Sequence, residues 1–192
     1  MSKKLILASA SPRRREILDT AGYSYEVVPS NADEVMEGDA YLLARLNALA
    51  KAKEVYACIG GDCVVVGADT VVCVDGEVLG KPKDERDAFL MLSKLSGSSH
   101  EVISGYAVVS EQGEESDFCV THVQFRKLTD DEINAYIATH EPMDKAGAYG
   151  IQERACLFAE SFVGDFFNII GLPIARLYPM LRSFGISPDW QA

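Results

Sequence analysis

The chain has 192 residues, 48% of them hydrophobic and 24% charged, the make-up of a globular protein with a core of its own. With 29 acidic against 18 basic residues the net charge is −11, which excludes the broad basic footprint of a nucleic-acid binder. Any anionic ligand must therefore meet a local basic pocket, and no apolar run approaches the ~20 residues of a membrane span.

Leu5–Ser9 is predicted as a strand, and Pro12–Ala21 as a helix with Ser11 as N-cap, Pro12 at its first position and Gly22 as its stop. Arg13, Arg14 and Arg15 then stand at the wrong end, because a helix N-terminus favours acids. The conflict disappears if that terminus holds an anion on backbone N–H groups, serine hydroxyls and guanidinium forks, and a polyphosphate fits best. A solvated helix face is the alternative. Lys3-Lys4 and Ala8-Ser9-Ala10 mimic a secretory signal, but the apolar stretch between them is too short.

An extended stretch around Tyr25–Pro29 leads to an acidic loop, Asn31–Asp39. From Ala40 to about Tyr56 the apolar residues Leu42, Leu43, Leu46, Leu49 and Ala50 recur at helical spacing and are expected to form the buried face. Val64–Val74 reads as a buried strand turned by Asp75-Gly76. Asp84 caps a helix ending near Gly97, and strands His100–Ser110 and Asp117–Lys127 follow. Thr129 and Glu132 form a capping box for Asp130–Thr139. A glycine-rich loop, Ala146–Gln152, precedes an expected hairpin of Ala155–Phe162 and Phe166–Ile170, and a last helix starts at Pro173. The pattern predicts an α/β fold with a mixed sheet, and it carries neither a P-loop nor a dinucleotide fingerprint. Five scattered cysteines without a C-x-x-C pair suit reduced thiols in a cytoplasmic protein. His100, His122 and His140 lack zinc-ligand spacing and read as packed or solvent-facing.

Asp69 interrupts the otherwise apolar strand Val64–Val74, where an unpaired carboxylate would cost several kcal/mol. It is either a structural carboxylate paired with a cation or a working acid beside Thr70. In a simple hairpin Lys81 would lie opposite Asp69, and its ammonium also suits a phosphate. Asp33-Glu34 offers hard oxygen ligands for magnesium, or is simply a solvated acidic loop. Gly147-Ala148-Tyr149-Gly150-Ile151-Gln152 permits close backbone approach to a ligand, or is an ordinary turn.

Taken together, Ser9-x-Ser11-Pro12-Arg13-Arg14, Gly67-Ala68-Asp69-Thr70-Val71-Val72, Gly80-Lys81-Pro82, Asp144–Gln152 and Gly171-Leu172-Pro173 resemble, in order, the Maf (septum-formation) family of nucleoside triphosphate pyrophosphatases. The resemblance covers nearly the whole chain. It implies a single Maf-like domain over 1–192 with a fold like inosine triphosphate pyrophosphatase: an elongated mixed β-sheet flanked by helices, in two lobes with the site in a central cleft. It also implies hydrolysis between the α and β phosphates with a divalent metal, magnesium or manganese. Asp69 matches the family's proton acceptor. Ser9, Ser11, Arg13, Arg14, Lys51 and Lys81 match the positions lining the phosphates, and Glu34 matches a metal-associated acid. Arg13, Thr70 and Gln152 match the set of the dTTP/UTP subgroup, where the 7-methyl-GTP subgroup carries a stacking tryptophan at the position of Arg13. The expected partner is a nucleoside triphosphate, with no nucleic acid or membrane, and a homodimer by resemblance. The alternatives are a non-catalytic nucleotide-binding regulator of cell division and a pyrophosphatase acting on 7-methyl-GTP. The chain departs from the family at Glu153, where glycine usually follows the Ile-Gln pair, so the loop gains a β-carbon and a negative charge.

Overall fold

The computed structural model describes residues 3–35 and 37–191. Its strands are β1 (Lys4–Leu7), β2 (Glu26–Val27), β3 (Cys63–Val74), β4 (Glu77–Leu79), β5 (Ser99–Ser110), β6 (Gly113–Phe125) and β7 (Ala159–Val163). The helices are α1 (Pro12–Ala21), α2 (Ala40–Ile59), α3 (Glu85–Leu95), α4 (Asp130–Ile137), α5 (Phe166–Ile170) and α6 (Ile174–Ser183). Among the described residues the strands make one sheet in the order β2-β1-β3-β5-β6-β7, with β4 paired to β3. β1 runs parallel to both β2 and β3, whereas β4 and β7 are antiparallel to their partners, so the sheet is mixed as expected. No described helix is long and apolar enough to cross a membrane.

The chain divides into two compact units. The first holds the chain up to Asp69, Ser104–Cys119 and the chain from Gly171 on; the second holds Thr70–Ile103 and Val120–Ile170.

In the first unit α2 covers the sheet. Its buried face is not the expected leucine row. Leu42 and Leu46 are about half exposed, at 52% and 46%, while Ala44, Asn47, Ala48, Ala52 and Val55 are buried with Leu43. The small side chains recur every fourth residue and let the helix backbone sink onto two glycines. A Cβ on Gly67 would overlap the Ala48 carbonyl and lie 2.8 Å from the Ala52 nitrogen, and one on Gly105 would overlap the Ala44 carbonyl. Ile6, Ala8, Val65, Ala107 and Val109 complete this core. Asp39 starts α2 by accepting the N–H groups of Tyr41 (3.1 Å) and Leu42 (3.0 Å).

In the second unit the Asp75-Gly76 turn has both residues at positive φ (51° and 78°), the geometry a two-residue hairpin requires. Asp84 caps α3, and Thr129 with Glu132 forms the expected capping box on α4. The expected second hairpin is replaced. Arg154–Leu157 is a 3-10 turn and Phe166–Ile170 is helical. Asp165 accepts from the Phe167 N–H at 2.8 Å, and the buried Asn168 amide donates to the Val102 carbonyl and Thr121 Oγ1, both at 2.9 Å. Those bonds fix a turn of helix where the second strand of a hairpin was expected.

An aromatic cluster forms the core of this unit, with His100, Phe125 and Tyr149 meeting edge to face at centroid distances of 4.8–5.4 Å. His100 is 2% exposed, and its Nε2 lies 2.8 Å from Tyr149 Oη. Burial pushes its pKa down from 6.5 to about 4. Because the folded pKa is depressed, the neutral ring contributes stability fully above pH 6.5, and that contribution is lost as pH falls from 6.5 to about 4. The loss amounts to about 3 kcal/mol. Urea denaturation at pH 7 and pH 4.5 should show a smaller acid loss for His100→Gln than for the wild type. Equal losses would show that the ring is not the group responsible.

Candidate active site

The turn from β1 into α1 is built as the sequence predicts, with Pro12 in the first turn and Gly22 in the left-handed conformation at the C-terminus. Ser11 holds the N-cap position, but its side chain makes no capping hydrogen bond. Ser9 is buried, and its Oγ accepts from the Ser11 N–H (3.3 Å) and from Arg14 Nη1 (2.9 Å). Arg14 Nε donates to the Gly171 carbonyl at 2.9 Å. Gly171, the first residue of the Gly-Leu-Pro segment, has φ +116°, a conformation that excludes a side chain. Burial lowers the Arg14 pKa, and Asp69 acts most strongly in the opposite direction, so the guanidinium and that carboxylate feel one another. Arg14 thus carries two bonds to its own unit, to the Gly171 carbonyl and to Ser9 Oγ. Arg14→Ala is expected to cost about 2 kcal/mol of apo stability through two lost charge-assisted bonds. Thermal denaturation without ligand checks this, and an unchanged melting temperature would contradict it.

Asp69 lies near the middle of β3 and is 8% exposed. Its Oδ1 is 2.7 Å from Lys51 Nζ, and its Oδ2 accepts from Asn47 Nδ2 at 3.2 Å. The same Lys51 ammonium reaches Glu34 Oε1 at 2.6 Å. Lys51 is therefore the cation beside Asp69, and Lys81 is not required for that role. The β3–β4 register, with Val72 opposite Leu79, ends at Leu79 and, if continued, sets Lys81 across from Thr70 instead of Asp69. Asn47 is the member of this group that the sequence reading missed. Its signal was a polar residue of poor helix propensity within the alanine row of α2, one turn before Lys51.

Glu34 and Asp69 converge on a single ammonium, so two hard carboxylates face one cationic point. That is the donor set magnesium uses when substrate phosphates supply the remaining ligands. Among the described residues no group of three or more His, Cys, Asp and Glu side chains could hold a metal by itself. Glu34 is exposed, as is Asp33.

Thr70, Lys81 and Gln152 belong to the second unit. Lys81 is exposed just after β4, and its neighbour Gly80 accepts the Gly147 N–H at 3.0 Å, which ties the glycine loop to this strand end. The close approach at Gly147 is to the protein itself, since a Cβ there would lie 2.9 Å from Val72 Cγ2. Tyr136 Oη accepts from the Gly150 N–H (3.2 Å), and Tyr149, itself in the loop, is anchored on His100, so two tyrosines hold the loop. Lys145, 5% exposed, sets its ammonium against the Glu141 carbonyl (2.6 Å), Asp144 Oδ1 (2.8 Å) and Glu153 Oε2 (3.1 Å). Glu153 is accommodated without strain, because its φ of −109° suits any residue. Its charge closes an ion pair one residue beyond Gln152.

A family model described as Maf-like protein matches residues 4–184. The chain belongs to the Maf family. A Maf-family relative from Thermococcus gammatolerans, named dTTP/UTP pyrophosphatase, is 52% identical over 185 residues, covering 94% of this chain and 96% of the relative. A relative of the same name from Alkaliphilus oremlandii is 50% identical over 185 residues, with 94% and 96% covered. A third so named, from Bacillus pumilus, is 46% identical over 187 residues, with 96% and 98% covered. The Staphylococcus aureus Ham1 structure matches this Maf chain with a TM-score of 0.55 at 15% identity, covering 94% of this chain and 99% of that one. At that identity the likeness concerns the fold, which is the one the family resemblance implied.

Proposed function

We propose that the protein is a nucleoside triphosphate pyrophosphatase that hydrolyses dTTP and UTP to the nucleoside monophosphate and pyrophosphate. The observation that carries this reading is the buried carboxylate of Asp69, held between Asn47 and Lys51 in a strand that is apolar apart from Asp69 and Thr70. The names of the Maf relatives support the same reaction.

Asp69 takes the proton from the attacking water as its oxygen bonds to the α-phosphorus. The bond from that phosphorus to the bridging oxygen breaks, and pyrophosphate leaves. Both carboxylate oxygens retain a lone pair beyond their present partners, so the acid can accept without losing its place. Ser9, Ser11, Arg13 and Arg14 at the start of α1, together with Lys51 and Lys81, bind the phosphates and offset the charge that develops on them. Glu34, with Asp69, is assigned to hold a divalent cation, magnesium or manganese, which when bound supplies Lewis-acid polarisation of the phosphoryl oxygens. Arg13, Thr70 and Gln152 set the base preference. The Gln152 amide both donates and accepts, matching the imide edge shared by thymine and uracil.

The same proposal takes the chain as one Maf-like domain, cytoplasmic and forming a homodimer, with no nucleic-acid partner. Free thiols at all five cysteines and the net charge of −11 suit that setting. Pyrophosphate release from dTTP, UTP, CTP, ATP, GTP and 7-methyl-GTP with magnesium or manganese tests the reaction and the preference together. Higher kcat/KM for dTTP and UTP is expected. Fastest turnover of 7-methyl-GTP would overturn the subgroup, and nucleotide binding without release from any substrate would point to a regulator.

A further inference from the structure

Asn47 lies on α2 one turn before Lys51, is 3% exposed, and spends its whole carboxamide on two partners. Its Oδ1 accepts the Val35 N–H at 2.8 Å, and its Nδ2 donates both to the Val35 carbonyl at 3.0 Å and to Asp69 Oδ2 at 3.2 Å. The amide orientation is fixed by chemistry, since the opposite flip would set its oxygen against a carboxylate and a carbonyl. Val35 is itself half exposed, at 53%, in the loop that carries Glu34. An exposed loop residue gripped by a buried helix side chain calls for a purpose other than packing.

We propose that Asn47 is a positioning residue of the hydrolysis, holding the Asp69 carboxylate and the Glu34 loop in one arrangement. This rests on the reading of Asp69 as the proton acceptor. With Oδ2 held by Asn47 and Oδ1 by Lys51, the carboxylate has no freedom to rotate about its last bond. The Val35 clamp sets the backbone beside Glu34, so the two carboxylates keep their convergence on one point. Asn47 need not touch the substrate. Its effect is on aim, and a misplacement of about 1 Å near reacting atoms can cost on the order of 10²-fold in rate.

A double-mutant cycle on the full chain tests this, using Asn47→Ala, Asp69→Asn and the combination, with single-turnover rates for dTTP at saturating magnesium. Asn47→Ala is expected to lower the rate about 10- to 100-fold with KM changed by less than about threefold. In the Asp69→Asn background it should lower the rate by no more than about threefold, because the group it aims is gone. A loss of folded protein would instead multiply onto both backgrounds, so the cycle separates aim from stability. Hydrogen exchange gives a readout free of turnover, since the Val35 amide should lose protection in Asn47→Ala. Should Asn47→Ala not fold, Asn47→Ser replaces it, because its shorter side chain stops short of Asp69 and the same loss is expected. A wild-type rate in either variant, or equal losses in both backgrounds, would overturn the proposal. A near-wild-type rate for Asp69→Asn alone would overturn the assignment of the base and leave the clamp on Val35 to be judged by exchange.

Discussion

Asp69→Asn is expected to lower kcat for dTTP by about 10²–10⁴-fold while the protein keeps its fold. The substitution is nearly isosteric, and the surroundings tolerate it. Lys51 keeps its pairing with Glu34, and the Asn47 amide can still donate to the oxygen of the new side chain. What disappears is the capacity to accept a proton from water. Steady-state pyrophosphate release, with circular dichroism to establish the fold, measures both halves. Retention of more than half the wild-type kcat would remove Asp69 from the chemistry. A large loss of melting temperature with activity per folded molecule preserved would make it a structural carboxylate.

Gly105→Ala is expected to be the most damaging single-methyl change in the first unit. An added Cβ would occupy the space of the Ala44 carbonyl carbon and oxygen and press on the Arg45 nitrogen, and backbone atoms cannot swing aside as a side chain can. Either α2 lifts from β5 or the strand bends away from it. Overpacking typically costs 1–3 kcal/mol where side chains can yield, so a loss of about 3 kcal/mol or more is expected here. Urea denaturation gives the number. A midpoint within error of the wild type would mean that the helix does not sit on the strand as described. By the same contact, activity in any folded Gly105→Ala population should fall, because Asn47 and Lys51 ride on the helix that is displaced.

The candidate site was proposed from residues that violate local rules. Arginines at a helix N-terminus and a carboxylate inside a valine-rich strand are costly unless something binds there, and both positions proved to be built around polar partners. The caps at Asp84 and Thr129 and the Asp75-Gly76 turn follow from side-chain chemistry within a few residues, which is why they read directly. Two readings failed for want of long-range information. Phe166–Ile170 is a short apolar run whose periodicity cannot separate strand from helix, and the bonds that decide it come from Val102 and Thr121. In α2 the leucines suggested the buried face, yet the sheet beneath carries Gly67 and Gly105, and where the helix crosses them the contact is made by Ala44, Ala48 and Ala52. Pattern alone weights large apolar side chains. Close backbone approach rewards small ones.

The depth of that helix on the sheet has a consequence for how the sequence can vary. Asn47 and Lys51 alternate along α2 with the alanines that seat it, so the residues that set its height and those that face Asp69 share one side of the helix. Drift on this side is penalised twice, once in folding and once in turnover, whereas the opposite side, with Leu42 and Leu46 half exposed, is penalised for neither. A saturation library across Ala40–Ile59 selected for activity should therefore show a stripe of intolerance at Ala44, Asn47, Ala48, Lys51 and Ala52, joined by the buried Leu43 and Val55, with wide tolerance at Leu42 and Leu46. The helix behaves as a fitted key blank: its outer face can be recut for other purposes, and its inner face cannot.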